Sequence, residues 1–145
     1  MFQRHPIQCN ELMFITTNVQ DRNPVFQNPA FAKEAVETLY RVQQMYPFFL
    51  HAFVIMPDHC HFLLKVPEGG SISKIMRVYK YGLTFNFGIG AFWQSRFHIK
   101  IPDDASPVLH YIHLNPVKAG LVEVPEEYTW SSACGRWDVS PIEYF

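Results

Sequence analysis

The sequence predicts an α+β domain: a four-stranded antiparallel sheet, two helices laid against it, and one helix added at the C-terminal end. Three observations predict this. Strand-like and helix-like segments follow one another in the order strand, helix, strand, strand, helix, strand. The two middle strands are separated by no more than a short turn at Pro57-Asp58. A further helical stretch follows the fourth strand and is not needed to complete the unit.

Each element has its own warrant. "ELMFITTNV" (Glu11–Val19) is rich in β-formers and reads as a strand, and the turn-dense "DRNPVFQNP" ends it. "AFAKEAVETLYRVQQMY" then places Phe31, Ala35, Val36, Leu39, Val42 and Met45 at helical spacing, and Pro47 stops it. "FFLHAFVIM" and "CHFLLKV" read as the second and third strands. "SISKIMRVYKYGLTFNF" opens on a serine suited to cap a helix, with Ile72, Ile75, Met76 and Tyr79 on one side. After "GIG", the partly alternating "AFWQSRFHIKI" reads as the fourth strand. This order is the ferredoxin-like arrangement, βαββαβ. In the appended stretch, Asp103 or Ser106 can cap a helix starting near Pro107, expected to end near Asn115 because Pro116 restricts the residue before it.

Composition narrows the class. A chain of 145 residues with 48% hydrophobic and 16% aromatic residues suits one folded domain. The expected division is a core over about residues 11–117 and an acidic C-terminal extension over 118–145. No apolar run reaches the roughly 18 residues of a membrane span, and the opening "MFQRHPIQCN" lacks the apolar stretch of a signal peptide. Cys9, Cys60 and Cys134 are odd in number and far apart, which suggests neither a disulfide framework nor a zinc-type pair. A reducing cytoplasm is the expected setting.

Net charge is −1, but its distribution is uneven. Between Gly69 and Pro102 there are five basic residues, Lys74, Arg77, Lys80, Arg96 and Lys100, and no acidic one. From Ala119 onward a single base, Arg136, faces five acids. A basic middle in a neutral protein reads either as a local anion-binding surface or as segregated surface charge. Lys74, Arg77 and Lys80, three apart, drift round the second helix and could track a nucleic-acid backbone. Tyr79, Tyr81, Phe92 and Trp93 are candidates either for the core or for stacking on bases.

The stretch "MPDHCHFLLKV" carries the most chemistry. Side chains alternate along a strand, so His59 and His61 share a face while Cys60 joins Phe62 and Leu64 on the other. Two imidazoles on one face are either a satisfied surface pair or two ligands of one metal ion. On the appended helix, Tyr111 and Asn115 are four apart and look the same way. Taken alone, such a tyrosine packs with a wet hydroxyl and such an asparagine ends a helix. Two histidine nitrogens and an amide oxygen could instead hold a hard divalent ion, Mg²⁺ or Mn²⁺, beside a tyrosine able to attack phosphorus.

"MPDHCHFLL", "FWQSRFH", "YIHLNPVKAGLV" and "YTWSS", in that order, resemble the single-tyrosine HUH transposases, most nearly the REP-associated tyrosine transposases. The resemblance spans roughly Met13 to Ser132. It implies a metal-dependent enzyme that cleaves and rejoins single-stranded DNA at hairpin-forming sites. Tyr111 would be the nucleophile, forming a 5′-phosphotyrosine and freeing a 3′-hydroxyl. His59 and His61 would be the HUH pair and Asn115 the third ligand. Cys60 stands where such proteins usually have an aliphatic residue. Two arrangements are compatible with the resemblance: a homodimer whose tyrosine helix serves the partner's metal site, and a monomer.

Two other readings remain open at this point. One is a catalytically inactive or domesticated relative that binds hairpin DNA without cutting it. The other is a zinc protein using His59 and His61 with His51 or His98, although the cysteines are poorly placed for a closed zinc site.

Overall fold

The computed structural model describes residues 5–142; Glu143, counted above in the acidic extension, lies outside the described residues. Strands β1 (Leu12–Val19), β2 (Phe49–Met56), β3 (His59–Lys65) and β4 (Trp93–Lys100) form one sheet in the order β2-β3-β1-β4. Every pairing in it is antiparallel. Helices α1 (Pro29–Met45) and α2 (Ile72–Phe87) supply the two crossovers. The ferredoxin-like βαββαβ sandwich expected from the order of elements is therefore the fold.

Alternation along the strands gives the sheet two packed faces, each with its own core. Met13 and Ile15 on β1, with Cys60, Phe62 and Leu64 on β3, face α1 and α2 in the main core. That core also takes Val36, Leu39 and Val42 from α1 and Ile75, Met76 and Tyr79 from α2. Fully burying an aliphatic or aromatic side chain of this kind contributes about 1.5–3 kcal/mol, so this layer carries most of the stability. Tyr79 brings its hydroxyl into the core and donates it to the Ala35 carbonyl at 3.0 Å, which joins α2 to α1.

Helix α3 (Ala105–Lys118) lies on the opposite face of the sheet. Ile112 is fully buried there against Ala52, Val54 and Leu63, with Val108 and Leu109 packed alongside. The helix covers β2 and β3 and leaves the outer part of β4 open, where Arg96, His98 and Lys100 are exposed.

The bounds of α3 differ from those expected at both ends. Its cap is Asp104, whose side chain accepts from the Ser106 amide at 3.1 Å, not Asp103 or Ser106. It also runs through Pro116 to Lys118 rather than stopping near Asn115. A proline here removes one amide donor, the one that would have bonded to the Ile112 carbonyl, yet Pro116 is buried against the sheet side of the helix. The stop comes from Gly120 at φ +75. With it, the Leu121 amide bonds to the Pro116 carbonyl at 2.9 Å and the Gly120 amide to Val117 at 3.0 Å, a Schellman ending.

Beyond α3, the acidic extension folds back along β2, an edge strand of the sheet. The Trp130 carbonyl accepts from the Ile55 amide at 2.8 Å, and Val54 bridges Ser131. The Tyr128 hydroxyl donates to the Ile55 carbonyl at 2.7 Å, and Trp130 and Trp137 pack on the main core. An edge strand with free amides invites unwanted pairing, and this segment occupies the edge of β2.

Candidate active site

Pairing register places the two histidines. On the α3 face of the sheet, His59 lies between Asn18 of β1 and Met56 of β2, and His61 lies between Thr16 and Val54. Their rings are 4.7 Å apart, centroid to centroid, at 74°. Cys60 is fully buried on the other face, and burial pushes its thiol well above the ordinary range, so it is inert packing.

The hydrogen bonds of each ring bear on its tautomer. His59 Nδ1 is 2.7 Å from Asp58 Oδ1, and a carboxylate can only accept, so the proton sits on Nδ1. His61 Nδ1 is 2.9 Å from Thr16 Oγ1. The side-chain hydrogen bonds to both rings fall on Nδ1, and the Ile15 backbone also acts on His61, opposing the fall in its pKa. Burial, reinforced by the neighbouring His59, lowers the His61 pKa to about 3; burial also lowers that of His59, against the pull of Asp58. Both imidazoles are therefore neutral at physiological pH, the form that ligates metals.

Helix α3 brings its polar residues over this pair. The Tyr111 ring sits 5.6 Å from the His61 ring and 5.9 Å from Phe14, both edge-on at 67°. One turn further on, Asn115 lines a shallow pocket with His59, Asp58, Arg22 and Leu121. The spacing of four along the helix thus matches the spacing of two along the strand. Tyr111 faces His61, Asn115 shares the pocket with His59, and all four belong to one chain. The Lys118 ammonium lies 5.7 Å from the centroid of the Tyr111 ring. Tyr111 is half-exposed, packed against His61 and Phe14 on one side and open to solvent on the other.

Two neutral imidazoles with engaged Nδ1 atoms and an amide oxygen beside them could hold a divalent ion that keeps open positions. They do not make a closed zinc site, because no three His, Cys, Asp or Glu side chains gather among the described residues. His51 turns instead to the Ser140 carbonyl at 2.9 Å, and His98 is exposed on β4.

The five basic residues separate into two groups. Arg96 and Lys100 alternate with the core-facing Phe97 and Ile99, so they lie on the same face of the sheet as the histidines; Lys100 pairs in register with Phe14. Lys74, Arg77 and Lys80 lie on α2, behind the sheet. Lys74 is over the Tyr46 ring, and Lys80 donates to the Gln94 carbonyl at 2.7 Å, its pKa lowered by burial to about 8. Tyr79, Phe92 and Trp93 are core residues, whereas Tyr81 is exposed.

Four neighbours of the site are not among the candidates drawn from the sequence: Thr16, Arg22, Asp58 and Lys118. Asp58 and Lys118 have a legible signal, an acid directly before the histidine pair and a cation seven residues after the tyrosine, on the same helix face. Thr16 and Arg22 have none, because strand pairing and a turn bring them in.

An imidazole pair on a ferredoxin-like sheet thus faces a tyrosine on an added helix. The chain belongs to the IS200-like transposases: the family profile "Transposase IS200 like" matches residues 11–115. The REP-associated tyrosine transposase of Escherichia coli (strain K12) is 28% identical, over 82% of this chain and 74% of that one. A Haemophilus influenzae relative provisionally given the same name is 31% identical, over 83% of this chain and 78% of its own. The fold is shared with the structure of a REP-associated tyrosine transposase bound to a REP hairpin. The TM-score is 0.78, with 24% identity and coverage of 99% of this chain and 94% of that one. No helix among the described residues is long and apolar enough to cross a membrane.

Proposed function

We propose that this protein is a metal-dependent transposase that cleaves and rejoins single-stranded DNA at hairpin-forming sites through a 5′-phosphotyrosine on Tyr111. The observation that carries the reading is the approach of Tyr111 to its own His61, with both histidines neutral. The relative whose structure holds a REP hairpin supports a hairpin as the substrate.

The chemistry follows from the residues. The Tyr111 hydroxyl oxygen attacks phosphorus, the Oη–P bond forms, and the P–O3′ bond breaks. The departing electron pair goes to the 3′-oxygen, which takes up a proton equivalent to the one the tyrosine loses. One phosphodiester is exchanged for another, so a 3′-hydroxyl on a second DNA end can reverse the step without a nucleotide cofactor. A tyrosine hydroxyl ordinarily titrates near pH 10, so it needs assistance at neutral pH. A divalent ion, Mg²⁺ or Mn²⁺, held by His59, His61 and Asn115, would draw charge off the non-bridging phosphate oxygens. Lys118 supplies a positive charge on the same side of the helix, and Arg96 and Lys100 offer phosphate contacts along the open β4 side. Lys74, Arg77 and Lys80 could hold DNA only where it extends round to the back of the sheet.

The test is cleavage of a DNA hairpin carrying a single-stranded flank, in Mg²⁺ or Mn²⁺, labelled at either end. A 3′-label should move into a protein-sized band, while a 5′-label should appear in a shorter free fragment. Tyr111→Phe and the His59→Ala/His61→Ala double variant should abolish both products. Hairpin binding by wild type with no adduct in either metal would replace this reading with that of a binding module.

A further inference from the structure

We infer that Asp58 and Arg22 are positioning residues that decide which nitrogen of His59 is free to act. The inference concerns the ring of His59 in the protein by itself. Only the use of that nitrogen for a metal rests on the proposed function.

Asp58 is engaged on both oxygens. Oδ1 receives His59 Nδ1 at 2.7 Å, and Oδ2 receives Arg22 Nε at 2.9 Å. Arg22 is itself held on a second side, its Nη1 donating to Asn18 Oδ1 at 3.1 Å. A carboxylate held on both oxygens in this way fixes the orientation of the His59 ring. The arrangement is that of a ligating histidine whose second nitrogen is fixed by a carboxylate.

The position of Arg22 gives the pair its sense. Arg22 Nη2 lies 3.4 Å from His59 Nδ1. Both atoms carry hydrogen while Asp58 is present, so that approach holds no hydrogen bond. Remove the carboxylate, and the guanidinium becomes the nearest polar group to Nδ1 and can only donate. The His59 proton would then move to Nε2, the nitrogen that must stay bare to ligate. Asp58 therefore excludes a competing state that Arg22 would otherwise impose. Arg22 reaches this place through backbone that few side chains adopt: Asp21 and Arg22 have φ of +56 and +54 in succession. Strain of this kind persists where surrounding contacts over-determine it, and here the contacts are Asn18 and Asp58.

The experiment is ring-nitrogen NMR of ¹⁵N-histidine-labelled, metal-free protein at neutral pH, with Mn²⁺ alone then added. Wild type should show His59 protonated on Nδ1. Asp58→Ala should show it protonated on Nε2, with His61, held by Thr16, unchanged as the control for folding. Asp58→Asn, which keeps an acceptor oxygen, should retain the wild-type tautomer, and the Arg22→Ala/Asp58→Ala double variant should lose the preference for Nε2–H. Affinity for Mn²⁺, read from paramagnetic broadening of the histidine signals, should fall about 10- to 100-fold in Asp58→Ala. His59 carrying its proton on Nε2 in wild type would overturn the inference, even where Asp58→Ala fails to fold. So would an Asp58→Ala protein that retains Nδ1–H. A wild type with the expected tautomer that forms no DNA adduct would overturn the proposed function and leave this inference standing.

Discussion

Tyr111 and His61 meet edge-on within one chain, ring centres 5.6 Å apart, and the separation of the two residues in sequence hides that contact. Because Ile112 anchors α3 on the sheet beside them, the nucleophile candidate is placed by the same packing that places the helix. Tyr111, Asn115, His59 and His61 of one chain lie on the same face of the sheet.

Complementation tests whether they act within one chain. Mixing Tyr111→Phe with the His59→Ala/His61→Ala variant should yield no cleavage beyond either alone, since neither chain has both halves of the site. Restored cleavage in the mixture would show that the tyrosine acts on a partner's histidines.

Acid stability should report the burial of His61. Its pKa is about 3 in the folded chain, against the ordinary 6.5, so the unfolded chain binds the extra proton. Stability from this group is complete above pH 6.5 and falls as the pH drops toward 3, by up to about 1.4 kcal/mol per pH unit. Urea unfolding at pH 7 and pH 5 should therefore show a loss of about 2 kcal/mol from this source. His61→Gln should flatten that difference, and an equal slope in both proteins would contradict the argument.

Ser132 ties the C-terminal extension to both the sheet and the tyrosine helix. Its hydroxyl lies 2.8 Å from His113 Nε2 on α3 and 3.0 Å from the Phe53 amide on β2. Ser132→Ala should cost about 1–3 kcal/mol, because a buried amide and an imidazole lose their partner at once. The change would be read as a lowered urea midpoint with an unchanged m-value.

Basic residues on the two sides of the sheet should differ in their effect on hairpin binding. Arg96→Ala/Lys100→Ala should weaken affinity and lower the slope of log K against log salt by about 0.7–0.9 for each phosphate that is no longer neutralised. Lys74→Ala/Arg77→Ala should leave a short hairpin unaffected and matter only for DNA with long flanks. A larger effect of the α2 pair on the short hairpin would place the DNA behind the sheet.

Much of the fold is legible in the sequence because its signals are local. Periodicity marks α1 and α2, the turn at Pro57-Asp58 marks the hairpin, and alternation separates Cys60 from its two histidine neighbours. The end of α3 is not legible, because proline's local restriction at Pro116 is outweighed by its burial and by the Gly120 ending, four residues later. The acidic extension reads as an appendage, yet its serines, tyrosine and tryptophans bind it to β2. Charge counting alone has no access to that packing.

The same division holds for the site. By itself the sequence determined that His59 and His61 share a strand face and that Tyr111 and Asn115 share a helix face. Those relations follow from backbone geometry over two to four residues. Only the tertiary structure decided that the two faces meet, that Arg22 closes on Asp58 from 36 positions away, and that Lys74, Arg77 and Lys80 sit behind the sheet. Sidedness is a property of the local chain, whereas what lies across from a side chain depends on which distant apolar surfaces bury one another.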